Sequence, residues 1–326
     1  MTDPLVTTYD GGLHVLDGTT LEVAADIPLP GFNRVNPAGD DRHVVLSTSA
    51  GFQLLDAAGA VLTDVEFPGA EPGHVVRHAG KTVLFTDGTG QVRIIDPATF
   101  GGTPSVQEYT TPQPHHGVAV ELSTGELVTT LGDEEERPGI VVLDAQRREI
   151  ARNEDCPGVH GEATAQGEAV VIGCETGALV YRDGTITKIT SPTPYGRIGN
   201  QAGSDASPVT LGDYKQDAEA ELERPTSVSL IDTTDASLRL VDLGTSYTFR
   251  SLARGRRGGV GARHRRAHPR DRPGRGRGHE DHPGHRAVAG AAGVAAAPAR
   301  DLRAGRHGLR ERARGLRGAR RGHRDR

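Results

Sequence analysis

Three histidines stand beside Gly or Pro at intervals of a little over forty residues. His74 lies in EPGHVV, His116 in QPHHGVAV and His160 in CPGVHGEA, so successive members are 42 and 44 residues apart. Three imidazoles and one further donor complete a tetrahedral zinc site. The common spacing therefore indicates zinc binding if a repeated fold brings equivalent positions together. The competing interpretation is three structural histidines, each bonded to a nearby backbone carbonyl.

The only two cysteines, Cys156 and Cys174, lie on either side of His160. Without a third cysteine or a CxxC spacing, they do not suit a thiolate zinc site. Their 18-residue separation across a predicted hairpin suits a disulfide, which would hold the His160 loop rigid and would indicate an oxidising compartment. The alternative is a pair of buried free thiols in a cytosolic protein.

A repeated pattern supplies the elements that would position these residues. Apolar runs, often alternating, end in an aspartate and lead into a turn. The aspartates are separated by 39, 40, 48, 39 and 49 residues and are Asp17, Asp56, Asp96, Asp144, Asp183 and Asp232. With the further β-rich runs in each interval, the pattern is typical of an all-β protein, a β-propeller with about four short strands per blade. Each Asp is expected to cap its turn through its side chain. Inner strands line a propeller's channel, so His74, His116 and His160 are expected to converge.

The charge divides the chain into two unlike parts. Residues 1–250 carry a net charge of -21, whereas residues 251–326 carry +16 with 22 Arg and no Lys. The repeat also stops after Asp232. Read one base downstream, HRRAHPRDRP (264–273) permits TDGLIHVIDP, the missing repeat. We therefore expect 1–255 to form about six propeller blades and 256–326 to be a basic, disordered segment produced by a frameshift, with no selected partner and no nucleic-acid role.

Other functional classes find little support in the sequence. No run of 18 apolar residues predicts a membrane span, and no GxSxG, P-loop or HExxH motif predicts catalysis. The N-terminus MTDPLVTTYDGG lacks the basic and apolar regions of a signal peptide.

The motifs PHHGVAV and DCPGVHGEA, followed by GC and set in a propeller repeat, resemble the AztD-type zinc metallochaperones. That resemblance covers essentially all of residues 1–255. It implies an extracytoplasmic β-propeller of seven or eight blades, encoded beside a zinc ABC transporter, that hands Zn²⁺ to the transporter's solute-binding protein and is not an enzyme. We expect a monomer.

His116 and His160 match the motif histidines, and His74 matches by its place before a strand. His115 would replace His116 or act beside it. The His- and Asp-rich tract of many family members is not found here.

Two further functions remain open at this level. The first is a propeller that only binds protein, with structural histidines and no metal stoichiometry. The second is a propeller hydrolase or lactonase with a central divalent ion, a class that usually takes several Glu, Asp or Asn ligands.

Overall fold

The computed structural model describes residues 1, 3–220, 222–248, 252–254 and 260–261. Its elements are antiparallel sheets that follow one another along the chain. Among the described residues there is no α-helix, and thus no helix long and apolar enough to cross a membrane. The expected segment 256–326 lies outside the described residues except for 260–261, and the boundary at 255 stays a prediction.

The strands fall into six successive sheets. Sheet 1 contains β1 (Leu5–Tyr9), β2 (Gly12–Leu16) and β3 (Val23–Pro28). Sheet 2 contains β4 (Arg34–Pro37), β5 (His43–Thr48), β6 (Gly51–Asp56) and β7 (Val61–Pro68). Sheet 3 contains β8 (Pro72–His78), β9 (Lys81–Thr86), β10 (Gln91–Ile95) and β11 (Val106–Thr110), with a 3₁₀ turn at Pro97–Thr99.

The second half of the described chain continues the same order. Sheet 4 contains β12 (Ala119–Glu121), β13 (Leu127–Leu131), β14 (Gly139–Leu143) and β15 (Glu149–Asn153). Sheet 5 contains β16 (His160–Ala165), β17 (Ala169–Cys174), β18 (Thr176–Arg182) and β19 (Thr185–Thr190), and the short β20 (Gly196–Arg197) pairs in parallel with β18. Sheet 6 contains β21 (Gln201–Ala202), β22 (Val209–Asp213), β23 (Ser227–Asp232) and β24 (Ser237–Asp242). A final pair is formed by β25 (Ala253–Arg254) and β26 (Val260–Gly261).

The predicted all-β, β-propeller fold class is confirmed, with six successive sheets in the described residues. Sheet 1 has only three strands, and its repeat aspartate follows the second of them. In sheets 2 to 6 the aspartate ends or follows the third strand. The strand of sheet 1 that would correspond to β4 or β8 is therefore absent from the described residues. Within them, β1 pairs only with β2.

The core consists of apolar layers between successive sheets. The largest layer joins sheets 3, 4 and 5, and smaller layers join sheets 1 and 2, 2 and 3, and 5 and 6. Middle strands such as β14 and β17 are buried along their whole length, whereas outer strands such as β11 and β15 are mostly exposed. Because each middle strand packs on both faces, its sequence is a continuous apolar run rather than an alternation.

The turn aspartates act largely as predicted, with one exception. Asp17, Asp56, Asp96, Asp144 and Asp232 accept hydrogen bonds from backbone N–H groups two to four residues further on. For Asp183 the prediction of a side-chain cap was wrong. Asp183 and Gly184 have φ values of 49° and 80° and form the two-residue turn between β18 and β19, where Asp-Gly serves through backbone conformation.

We expect Asp56 to stabilise the fold in a pH-dependent way. The Arg42 guanidinium donates to it at 3.0 and 2.6 Å and lowers the pKa of Asp56 to about 2, although burial opposes this. A depressed folded-state pKa gives stability that is full above the unfolded value of about 3.9 and is lost as the pH falls toward 2. Asp56→Asn should therefore lower the urea midpoint at pH 6, and the difference from wild type should shrink below pH 4.

Arg42→Gln provides the matched partner change. Because the two side chains act through one contact, the double variant should lose little more stability than Asp56→Asn alone. Additive losses at pH 6, or a difference that persists unchanged at pH 2, would contradict this assignment.

Candidate metal centre

His74, His116 and His160 converge in the structure. One nitrogen from each imidazole lies within 4.8 Å of the corresponding nitrogens of the other two. The ring centroids are 5.5 Å apart for His74 and His116, 5.3 Å for His74 and His160, and 5.0 Å for His116 and His160. Three residues from sheet 3, sheet 5 and the loop before sheet 4 thus form one cluster.

The histidines lie where the first strand of each sheet begins. His74 is the third residue of β8, His160 opens β16, and His116 lies three residues before β12. At both strands the pairing register is interrupted, between Pro72 and Val75 in β8 and between His160 and Glu162 in β16. Such bulges redirect a side chain relative to the regular pleat. The two interruptions therefore set the direction of the His74 and His160 side chains.

The bulge beside His160 depends on glycine. Gly161 has a φ of +74°, which is unfavourable for residues with a side chain, and a Cβ at this position would collide with the carbonyl oxygen of Gly199. That same carbonyl accepts a hydrogen bond from His160. The backbone at Gly161 must therefore lie close to the backbone at Gly199 for His160 to make this hydrogen bond.

Each imidazole uses its Nδ1 to contact an oxygen outside the cluster. Nδ1 of His116 lies 2.5 Å from Asp87 Oδ2, Nδ1 of His74 lies 3.2 Å from Glu162 Oε2, and Nδ1 of His160 lies 2.8 Å from the Gly199 carbonyl oxygen. These oxygens accept, so each Nδ1 carries the proton and the Nε2 lone pair is left free. Ligand histidines in metal sites are oriented in this way.

The geometry fits a tetrahedral zinc ion. With Zn–N bonds of about 2.0–2.1 Å and each ring centroid a further ~1.1–1.2 Å away, tetrahedral angles place the centroids about 5.2 Å apart. The observed separations are 5.0 to 5.5 Å. The ring separations therefore match those of three imidazoles bound to one tetrahedral ion.

Burial and neighbouring charge act differently on the three rings. Burial opposes protonation of His74, but the Glu162 carboxylate outweighs it, so the pKa of His74 is raised above its ordinary value. Burial lowers the pKa of His160 to about 3, and positive charge on His74 adds to this effect. His160 is thus a neutral ligand at any ordinary pH, whereas the Glu162 carboxylate favours the charged form of His74, with which a metal ion would compete.

His115 lies outside the cluster. Its Nδ1 donates to the Gln113 carbonyl at 3.0 Å, and its Nε2 lies 2.9 Å from Thr130 Oγ1, so both ring nitrogens already have partners. Thr130 Oγ1 in turn accepts a hydrogen bond from the backbone N–H of Val118 at 3.0 Å. His115 therefore supports the backbone next to His116, and we leave it out of the proposed ligand set.

Cys156 and Cys174 form a disulfide, with their Cα atoms 5.1 Å apart and both side chains completely buried. The bond links the loop before β16 to the last residue of β17, one residue beyond Gly173, the strand partner of His160. The start of β16 is thereby held both by the strand ladder and by a covalent bond.

Sequence reasoning did not identify the oxygens that orient the imidazoles. Glu162 follows His160 by two residues in HGEA, and Asp87 lies in the turn FTDGTG, but neither pattern differs from an ordinary strand or turn. Gly199 contributes only a backbone carbonyl, which has no sequence signal. Only the folded structure brings these groups together.

The chain is 28% identical to the zinc chaperone AztD of Citrobacter koseri in an alignment 202 residues long that covers 59% of this chain and 46% of that protein. This chain resembles AztD. The resemblance predicted from the sequence motifs is thereby confirmed, although the chain spans less than half the length of this curated relative.

Solved AztD structures agree with the fold. The apo structure from C. koseri has a TM-score of 0.62 at 22% identity and covers 74% of this chain and 71% of its own. A second crystal structure of C. koseri AztD has a TM-score of 0.64 at 21% identity, over 78% of this chain and 72% of its own. At this identity the similarity establishes the fold alone. No family model matches the chain.

We expect the metal-free AztD-like chain to show two contrasting histidine titrations. Because Glu162 favours the charged form, the His74 ring should titrate above about pH 6.5, whereas His160 should stay neutral from pH 8 to below pH 5. Nitrogen and carbon NMR shifts of the two rings measure both titrations directly. A His160 midpoint near 6.5 would show that this ring is not held in the buried, carbonyl-bonded environment described above.

Proposed function

We propose that this chain binds Zn²⁺ through His74, His116 and His160 and delivers it to the solute-binding protein of a zinc ABC transporter. On this proposal it is a monomeric, extracytoplasmic metallochaperone rather than an enzyme. The observation that carries the proposal is the convergence of three imidazoles, each oriented by an outside oxygen so that Nε2 is free. The similarity to a protein named zinc chaperone AztD supports the choice of metal.

The size of the site favours an ion as cargo. The space between the imidazoles is too small to admit a water-sized sphere and is otherwise lined by small or apolar residues, among them Gly117, Val118, Val159 and Gly161. Pockets that hold organic substrates are typically about 300–1,000 Å³. The site thus suits a bound metal better than a hydrolase or lactonase substrate.

Three protein ligands leave one position of a tetrahedral ion for an outside donor. Structural zinc sites usually contain four protein ligands, whereas an open position allows exchange. A side chain of the acceptor can bind the ion there before the imidazoles release it. The ion then never has to pass through a fully hydrated state, which makes direct transfer between proteins feasible.

Charge and covalent chemistry agree with this role. The net charge of -21 over residues 1–250 attracts divalent cations to the surface around the site. The disulfide between Cys156 and Cys174 supports a location where thiols are oxidised, outside the cytosol.

Zinc binding is the first test. Isothermal titration of the full chain should show a high-affinity site with one ion per chain, and His116→Ala or His160→Ala should weaken it at least ~100-fold, about 2.7 kcal/mol. Asp87→Asn keeps the shape of its side chain but removes the carboxylate that orients His116, and should weaken zinc about 10- to 100-fold.

His14→Ala is the matched control, because His14 lies on β2 and is not part of the cluster. It should leave the high-affinity site unchanged. The seven histidines after residue 250 are present in every variant, so any zinc that they bind appears as a common background. A high-affinity site that survives in the triple Ala variant of His74, His116 and His160 would disprove the metal role.

Delivery is the second test. When the zinc-loaded chain is mixed with a metal-free zinc-transporter solute-binding protein, transfer should be faster than zinc loss to a dilute chelator and should increase with acceptor concentration. An open coordination position predicts this, since the acceptor takes part in release. A transfer rate equal to spontaneous dissociation and independent of acceptor concentration would retain zinc binding but exclude direct delivery.

A further inference from the structure

A second cavity, of about 230 Å³, lies toward the opposite end of the strands that carry the histidine cluster. Its lining includes Arg77, His78 and Lys81 from the β8–β9 hairpin, Pro97, Thr164 from β16, and Asp205. His78 ends the strand near whose start His74 lies, and Thr164 is four residues beyond His160. At about 3.3 Å per residue, roughly 13 Å of strand separates the two sites.

Cations predominate in this lining. Arg77 is exposed, and it makes no hydrogen bond or ion pair with any part of the chain that the structure describes. Lys81 likewise makes no hydrogen bond within the described residues. Asp205 is the single carboxylate of the described lining. A guanidinium and an ammonium thus face one cavity with a single carboxylate in its described lining, while Glu121 attracts the Lys81 ammonium from outside the lining.

His78 adds a buried polar group to the same wall. Its side chain is only 6% exposed, and its Nε2 makes no hydrogen bond among the described residues. The nearest acid is Glu168, with Oε1 at 3.3 Å, while Glu168 Oε2 is held by the backbone N–H and hydroxyl of Ser123. The His78 ring thus forms part of the cavity wall, while its buried Nε2 faces Glu168 and is not open to an incoming ligand.

The hairpin that carries these residues is tightly defined. Ala79 and Gly80 form a two-residue turn with φ values of 47° and 70°, and His78 is the direct strand partner of Lys81. Turns of this type fix the register of both strands. The basic residues are therefore presented from a rigid element and need little ordering when a ligand binds.

We propose that this cavity binds a small oxyanion, a phosphate or a carboxylate, through Arg77 and Lys81, with His78 in the adjoining wall. A cavity lined by cations is unusual in this chain, because residues 1–250 carry a net charge of -21 that repels anions from the surface in general. Arginine provides paired donors that suit both phosphate and carboxylate oxygens. This inference is independent of zinc binding.

Inorganic phosphate and citrate, titrated separately into the metal-free full chain at constant ionic strength, test the proposal. At least one should bind saturably with one ion per chain, and the stronger of the two identifies the ligand class. Arg77→Gln should weaken that binding at least ~10-fold. Arg239→Gln removes the same charge from β24, on sheet 6, and should leave it unchanged. The Arg-rich segment after residue 250 is common to all variants.

A second measurement does not depend on the folding of any variant. In the wild-type chain, the anion should shift the NMR signals of the His78 ring while leaving those of His14 in place. The proposal is overturned if neither anion moves the His78 signals, or if Arg239→Gln weakens binding as much as Arg77→Gln. The latter would show attraction to general charge rather than to the cavity.

Discussion

The contact from each imidazole Nδ1 to a fixed oxygen is the constraint on which the histidine cluster depends. Three rings brought together without such contacts would be free to rotate, and either nitrogen could face the centre. Asp87, Glu162 and the Gly199 carbonyl remove that freedom. These acceptors belong to three separate segments of the chain, so the ring orientations are a property of the packed sheets rather than of any local motif.

The fold could be read from the sequence because its repeat has a physical cause. Every sheet needs a buried middle strand and a tight turn, and these requirements recur as an apolar run followed by Asp. The spacing of His74, His116 and His160 could be read for the same reason, since equivalent starts of first strands come together in a propeller. Asp183 departed from the pattern because its turn is shorter than the others.

The other features of the site have no comparable signal in the sequence. A bulge is one extra residue in a pairing register, and the glycines of PGHVV and VHGEA that accompany it are equally expected in a turn that precedes a strand. His115 carries the same side chain as its neighbour His116, yet both its nitrogens have partners before any ligand arrives. Gln113 and Thr130 bind the two ring nitrogens of His115, so that only its neighbour His116 has a nitrogen free for a ligand. Their positions depend on tertiary packing.

The covalent link between Cys156 and Cys174 also gives the protein a maturation order. Before oxidation, the segment that leads to His160 is held by hydrogen bonds and core packing, and the covalent bond then restricts it further. On the proposed function, the reduced chain would therefore bind zinc more weakly than the oxidised chain. Thiol oxidation would then increase the affinity of the histidine cluster for its ion.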